Sequence, residues 1–236
     1  MKDNIRLLLF ALFLGLILLH PMGLNKLMSQ HSENMNHQES VTKKEPSIQE
    51  SHSDISKSTR TAVAYFAGGC FWCMEPVFDV IKGVMDTTVG YMGGKKETAN
   101  YTAVSSGTTN HYEVIKVTYN PKVVSYQTLL MAFWRSIDPT DENGQFADQG
   151  PHYRTAIFIK NESDQAIVDA SIKTLLSQKS YDKPIATQII PEQPFYTAED
   201  HHQNYYQKNA VHYNAYKVGS GRAGYLNQTW GNTTDK

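Results

Sequence analysis

The sequence predicts an α+β fold, a mixed sheet covered by helices, for the segment after about residue 60. Three observations predict it: strand-like alternation and helical stripes intersperse along that segment, two strand patterns sit adjacent in sequence between residues 84 and 119, and no internal repeat interrupts them. All fourteen Tyr, all three Trp and both Cys lie after residue 60. With 40% hydrophobic and 11% aromatic residues, the chain can bury a core there.

Ala62 to Phe66 reads as a short buried strand, broken where Gly68-Gly69 lets the backbone turn sharply. Met74, Val77, Phe78 and Ile81 recur at helical spacing, and Pro76 is tolerated if that helix starts near Cys70 to Cys73 and holds it in the first turn. Val84 to Tyr91 and Tyr112 to Tyr119 alternate as strands. Leu129, Leu130, Phe133, Trp134 and Ile137 mark a helix, and Tyr153 to Ile159 is strand-like. Val168, Ile172, Leu175 and Leu176 stripe another helix, Ala186 to Ile190 suits a strand, and a Tyr-rich, weakly periodic tail follows.

The first 60 residues have a different character. Lys2 and Arg6 precede an unbroken apolar run, Leu7 to Leu19, the order of a secretory signal over residues 1–24. Thirteen residues cover about 20 Å of helix, short of a bilayer's roughly 30 Å core, but continuing through Pro21, Met22 and Leu24 approaches it. No small-x-small site follows, so a cleaved signal and an uncleaved anchor both stay open, and the expected location is exported, periplasmic or extracytoplasmic. Residues 25–60 contain eight Ser, five acids and five bases, with no Gly, Phe, Tyr or Trp, and read as a flexible linker to a domain at 61–236. A net charge of −1, dispersed along the chain, disfavours a nucleic-acid partner.

Two cysteines exclude a disulfide-stapled scaffold, and Cys70 and Cys73 act as a pair. At i and i+3 on a helical turn their Cα atoms lie about 5–6 Å apart, within disulfide range, so the pair can close and reopen. Placed at a helix N-terminus, the Cys70 thiol is expected to ionise near 7 or below. Two inert core thiols, a permanent staple, or a zinc site recruiting His201 and His202 are the alternatives, although adjacent histidines have the wrong spacing for the last. Alternation in the 112–119 strand puts Glu113 on the face of Ile115, Val117 and Tyr119. A carboxyl buried there is expected to hold its proton near pH 7. A thiolate and a protonated acid are what a reductive displacement at an oxidised sulfur needs.

Gly68-Gly69-Cys70-Phe71-Trp72-Cys73-Met74-Glu75 closely resembles the signature of the A-type peptide methionine sulfoxide reductases. Four further blocks look like the family's in the same order: Gly90 to Gly94, His111-Tyr112-Glu113, Asp148 to Arg154, and Pro194 to His202. The resemblance spans about residues 62 to 216. It implies Cys70 as nucleophile, Glu113 as proton donor to the substrate oxygen, Tyr91 and Tyr153 as phenols bonded to that oxygen, Asp148 as an organising carboxylate, and Phe71 and Trp72 as the wall that receives the substrate methyl. It further implies the S epimer of methionine sulfoxide, free or in proteins, as substrate, and a thioredoxin-like dithiol as reductant, with no cofactor or metal. Many relatives have Gly where Cys73 stands and a resolving Cys in the tail, where this chain has none. The two departures fit together if Cys73 resolves a sulfenic acid on Cys70.

The expected architecture is thus a two-layer α+β sandwich with a mixed sheet, a ferredoxin-like core and a long irregular C-terminal tail, working as a monomer. The rivals are a thioredoxin-like thiol–disulfide oxidoreductase, which needs neither Glu113 nor Tyr91, and a tethered binding module gripping a partner with its Tyr-rich tail.

Overall fold

The structure, a computed structural model, describes residues 61–231, so the signal and linker expectations lie outside the described residues. Its elements in chain order are β1 (Ala62–Gly68), α1 (Glu75–Asp79), β2 (Val84–Met92), α2 (Tyr101–Ser105), β3 (Tyr112–Tyr119), α3 (Tyr126–Trp134), β4 (Gly144–Gln145), β5 (Asp148–Gln149), β6 (Thr155–Ile159), α4 (Glu162–Gln178), β7 (Gln188–Pro191), β8 (Phe195–Thr197), α5 (Tyr205–Lys208), α6 (Ala210–Gly219) and α7 (Arg222–Trp230). Among the described residues no helix is long and apolar enough to cross a membrane.

Six strands form one sheet in the order β7-β6-β1-β3-β2-β8. In the central four, β6-β1-β3-β2, each strand is antiparallel to its neighbour, and β7 joins the edge parallel to β6, so the sheet is mixed. With α1 between β1 and β2, and α3 between β3 and β6, those four strands have the connectivity of a split βαβ core, the ferredoxin-like arrangement. Phe66, Val89, Ile115 and Val117 of the sheet share one core with Phe78 of α1, Leu129, Leu130, Phe133 and Trp134 of α3, and Val168 and Leu175 of α4. Ser125 and Asn161 cap α3 and α4 through Thr128 and Asp164 N–H, which fixes where each helix starts. Trp134 Nε1 donates to Ser171 Oγ at 2.9 Å and ties the two helices together.

The helix expected from Cys70 onward divides in two. Pro76 has no N–H to give the carbonyl four residues back, so the chain tightens into a 3₁₀ turn at Phe71–Cys73 before α1 begins at Glu75. Cys73 N–H donates to Cys70 O at 3.0 Å, and Met74 N–H to Phe71 O at 3.0 Å. The tail expected to be irregular carries α5, α6 and α7, whose weak stripe reflects short helices that each bury few side chains.

Candidate active site

Four strand ends meet at one end of the sheet. Cys70 lies two residues past the end of β1; Tyr91 near the end of β2 pairs with Glu113 near the start of β3; and Tyr153 precedes β6. Gly69, at φ +81°, turns the chain from β1 toward α1, and a Cβ there would lie 2.6 Å from Gln145 Cβ. The Gly-Gly break is therefore a close-packing requirement as well as a turn.

Both thiols are buried and unbridged. Glu113 is 2% exposed. Its Oε2 accepts the Phe71 N–H at 3.0 Å, which sets the carboxyl beside the residue that follows Cys70. Burial pushes the Glu113 carboxyl from its ordinary 4.5 to about 8 against the pull of that N–H, with the Asp148 charge adding to the rise. The expectation of a buried, protonated Glu113 agrees with this placement.

The expected ionisation of Cys70 is corrected. Burial, the hydrogen bond it gives Cys73, and the charge of Glu113 push its thiol well above the ordinary range. A single 3₁₀ turn followed by a five-residue helix supplies little dipole to oppose the loss of water. Cys73 instead sits lower, at about 7, because Cys70 donates to it and, after burial has opposed this, Arg222 attracts its charge. Burial and the hydrogen bond thus oppose ionisation of Cys70, while that same hydrogen bond and the nearby Arg222 favour it at Cys73.

Tyr153 and Asp148 fall inside the cluster: burial and the charges of Glu113, Cys70 and Asp148 all raise the Tyr153 phenol. Asp148 accepts a very short hydrogen bond from the Tyr216 hydroxyl. Tyr91 is fully buried, and its hydroxyl donates to Glu199 Oε2 at 2.8 Å, so its one proton is already engaged. Pairing of β8 with β2, Tyr196 opposite Tyr91, brings Glu199 there. The phenol that joins Tyr153 in facing the reacting groups is Tyr101, raised by burial and then by Glu113, Cys70 and Asp148.

Phe71 is buried, with its ring 5.9 Å from that of Tyr91, while Trp72 is half-buried and clamped by the tail. Its Nε1 donates to His202 Nδ1 at 3.0 Å and its ring stacks on Tyr205 at 3.8 Å. Sequence reasoning missed Tyr101, Tyr216, Glu199 and Arg222 as parts of this site and weighed His202 only as an alternative zinc ligand. The Pro194 to His202 block and the Tyr-rich tail were the available signal for Glu199, His202 and Tyr216, and nothing in the sequence marked Tyr101 or Arg222. Among the described residues, no group of three or more His, Cys, Asp and Glu is arranged to hold a metal.

A buried dithiol, a buried protonated carboxyl and two phenols at one end of an α+β sandwich define a thiol-dependent reductase. A family model, Peptide methionine sulfoxide reductase, matches residues 62–234. Peptide methionine sulfoxide reductase MsrA of Bacillus subtilis (strain 168) is 45% identical over 174 residues, covering 74% of this chain and 98% of that protein. MsrA of Ligilactobacillus salivarius (strain UCC118) is 44% identical, covering 75% and 99%. Among solved structures, Mxr1 from Saccharomyces cerevisiae in reduced form superposes with TM-score 0.60 at 32% identity, over 65% of this chain and 88% of that one. Methionine sulfoxide reductase A of Corynebacterium diphtheriae gives TM-score 0.57 at 31% identity, over 64% and 76%. The chain belongs to the peptide methionine sulfoxide reductase family, and within it to the A type.

Proposed function

We propose that this chain reduces the S epimer of methionine sulfoxide, free and in proteins, with Cys70 as nucleophile, Glu113 as proton donor and Cys73 as resolving thiol. The observation that carries the reading is the buried Glu113 carboxyl held against the Phe71 N–H, one residue from Cys70, where burial favours its protonated form. Cys70 passes its proton to Cys73 as its sulfur attacks the sulfoxide sulfur, and Glu113 protonates the oxygen. Oxygen moves to Cys70 as a sulfenic acid: the substrate sulfur gains two electrons and the cysteine sulfur loses them. Methionine leaves, Cys73 condenses with the sulfenic acid, and a thioredoxin-like dithiol reduces the disulfide.

Tyr101 and Tyr153 orient the sulfoxide oxygen, Tyr216, bonded to Asp148, stands against Cys70, and Phe71 with Trp72 receives the methyl. Tyr91, its hydroxyl given to Glu199, braces this wall. The thioredoxin-like alternative leaves the buried Glu113 without a task.

Offered each epimer of a methionine sulfoxide peptide, the reduced protein should release about one equivalent of methionine per chain from the S epimer and none from the R epimer. Dithiol consumption without methionine would favour the thioredoxin-like rival.

Export belongs to the same proposal. Lys2, Arg6 and the apolar run Leu7 to Leu19 support a location outside the cytoplasm, anchored there if the signal is not cleaved, with residues 25–60 as tether and 61–236 as the catalytic domain. A reporter fused after Arg60 should be active only outside the cytoplasm, and activity confined to the cytoplasm refutes export.

A further inference from the structure

Arg222, the first residue of α7, is only 2% exposed, and none of the steps above uses it. Its Nη1 donates to Ser136 O at 2.6 Å and its Nη2 to Gly68 O at 2.8 Å, while its guanidinium lies over the Phe146 ring at 4.7 Å. Both oxygen acceptors are neutral carbonyls, and its Nε is buried without a partner. Among the described residues no carboxylate lies within 4.0 Å of it. A guanidinium stays charged in proteins and is seldom buried without an anion, so a counter-charge belongs nearby.

The contacts place the guanidinium beneath one turn. Nη1 lies 4.0 Å from Met74 Sδ, and Nη2 would lie 2.8 Å from a Cβ on Gly69. Gly68, Gly69 and Met74 bracket the turn that carries both thiols. The charged and titratable groups that face Cys73 are Cys70, Glu113, Asp148, Tyr213, Lys217 and Arg222. The hydrogen bond from Cys70 does most to lower the Cys73 thiol, and of the two cations that add to it, Arg222 is the buried one and acts more strongly.

We infer that Arg222 is a positioning residue for the resolving half of the cycle, its charge locked under the Gly68–Met74 turn to hold Cys73 as the thiolate that attacks oxidised Cys70. The inference rests on the reading of Cys73 as the resolving thiol. In that step the Cys73 thiolate forms the S–S bond as the S–O bond of the sulfenic acid breaks. Hydroxide leaves and takes the proton Cys73 gave up, so one water is released and no outside electron is needed. The competing role for Arg222 is a neutral clamp that ties α7 to the carbonyls of Gly68 and Ser136.

In the full chain carrying Cys70→Ser, Cys73 is the one thiol, and its iodoacetamide alkylation rate against pH reports its ionisation. The midpoint should lie below the ordinary thiol value of about 8.5. Adding Arg222→Gln keeps an amide donor for the carbonyls but removes the charge. It should raise the midpoint by about one unit and cut the thiolate fraction well below pH 7 about tenfold. Arg222→Lys keeps the charge and should hold the midpoint within a few tenths. A midpoint unmoved by glutamine, or moved equally by glutamine and lysine, overturns the inference. If the glutamine variant does not fold, a lysine midpoint at the ordinary thiol value overturns it, and one held low supports it. Failure of the parent reading shows separately, as the lack of a Cys70–Cys73 disulfide in the oxidised wild-type chain, whatever the alkylation profile.

Discussion

Cys70→Ser should abolish methionine formation even in a single turnover, whereas Cys73→Ser should still form about one equivalent per chain and then stall with a thioredoxin-like reductant. The asymmetry follows from what each sulfur contributes. A serine hydroxyl at 70 cannot accept the oxygen with a two-electron change, so no reduction is coupled to its attack. Losing Cys73 removes the partner that shares the Cys70 proton and the sulfur that converts a sulfenic acid into a disulfide. A small thiol such as dithiothreitol should partly restore turnover by attacking the sulfenic acid directly. Rapid-quench measurement of methionine, with mass spectrometry of the oxidised protein, checks both. Product from the Cys70 variant, or normal thioredoxin-supported turnover of the Cys73 variant, contradicts the assignment.

Glu113→Gln should slow sulfoxide reduction about 10²–10⁴-fold at neutral pH, because an amide can still hydrogen-bond the oxygen but cannot protonate it. The wild-type chemical step should fall as pH rises through about 8, where burial has set this carboxyl. The glutamine variant should lack that limb. Stability is linked in the same direction. Between 4.5 and about 8 the native chain keeps a proton that the unfolded chain has released. The stability due to that proton is therefore fully present below 4.5 and lost by about 8. Denaturant titrations across this range should show wild-type stability declining with pH relative to Glu113→Gln. Equal pH slopes for the two proteins, or an unchanged reduction rate, refute the role of Glu113 as acid.

Several features were legible in the sequence because each depends on neighbours along the chain. Alternation in β3 put Glu113 among Ile115, Val117 and Tyr119, and the structure buries all four. The spacing of Cys70 and Cys73 made them neighbours on one turn, which the Cys73 N–H to Cys70 O bond closes. Gly68-Gly69 marked the end of β1, and the α+β class with its mixed sheet followed from the order of periodic segments. The short helices of the tail were not legible: α5 has four residues and buries none, so no stripe could announce it.

Composition, periodicity and motif spacing by themselves determined the fold class, the pairing of Cys70 with Cys73 on one turn and the burial of Glu113. Tertiary structure alone decided that the two thiols sit in unlike surroundings, that the Tyr91 hydroxyl is taken by Glu199 while Tyr101 stands near Cys70 and Glu113, and that Arg222 lies beneath the turn. The reason is physical. A hydrogen bond joins Tyr91 to Glu199 across 108 residues, and another joins Arg222 to Gly68 across 154. Burial patterns repeat with the local backbone period, but the energies that set a proton's position depend on charge separation and lost water in three dimensions.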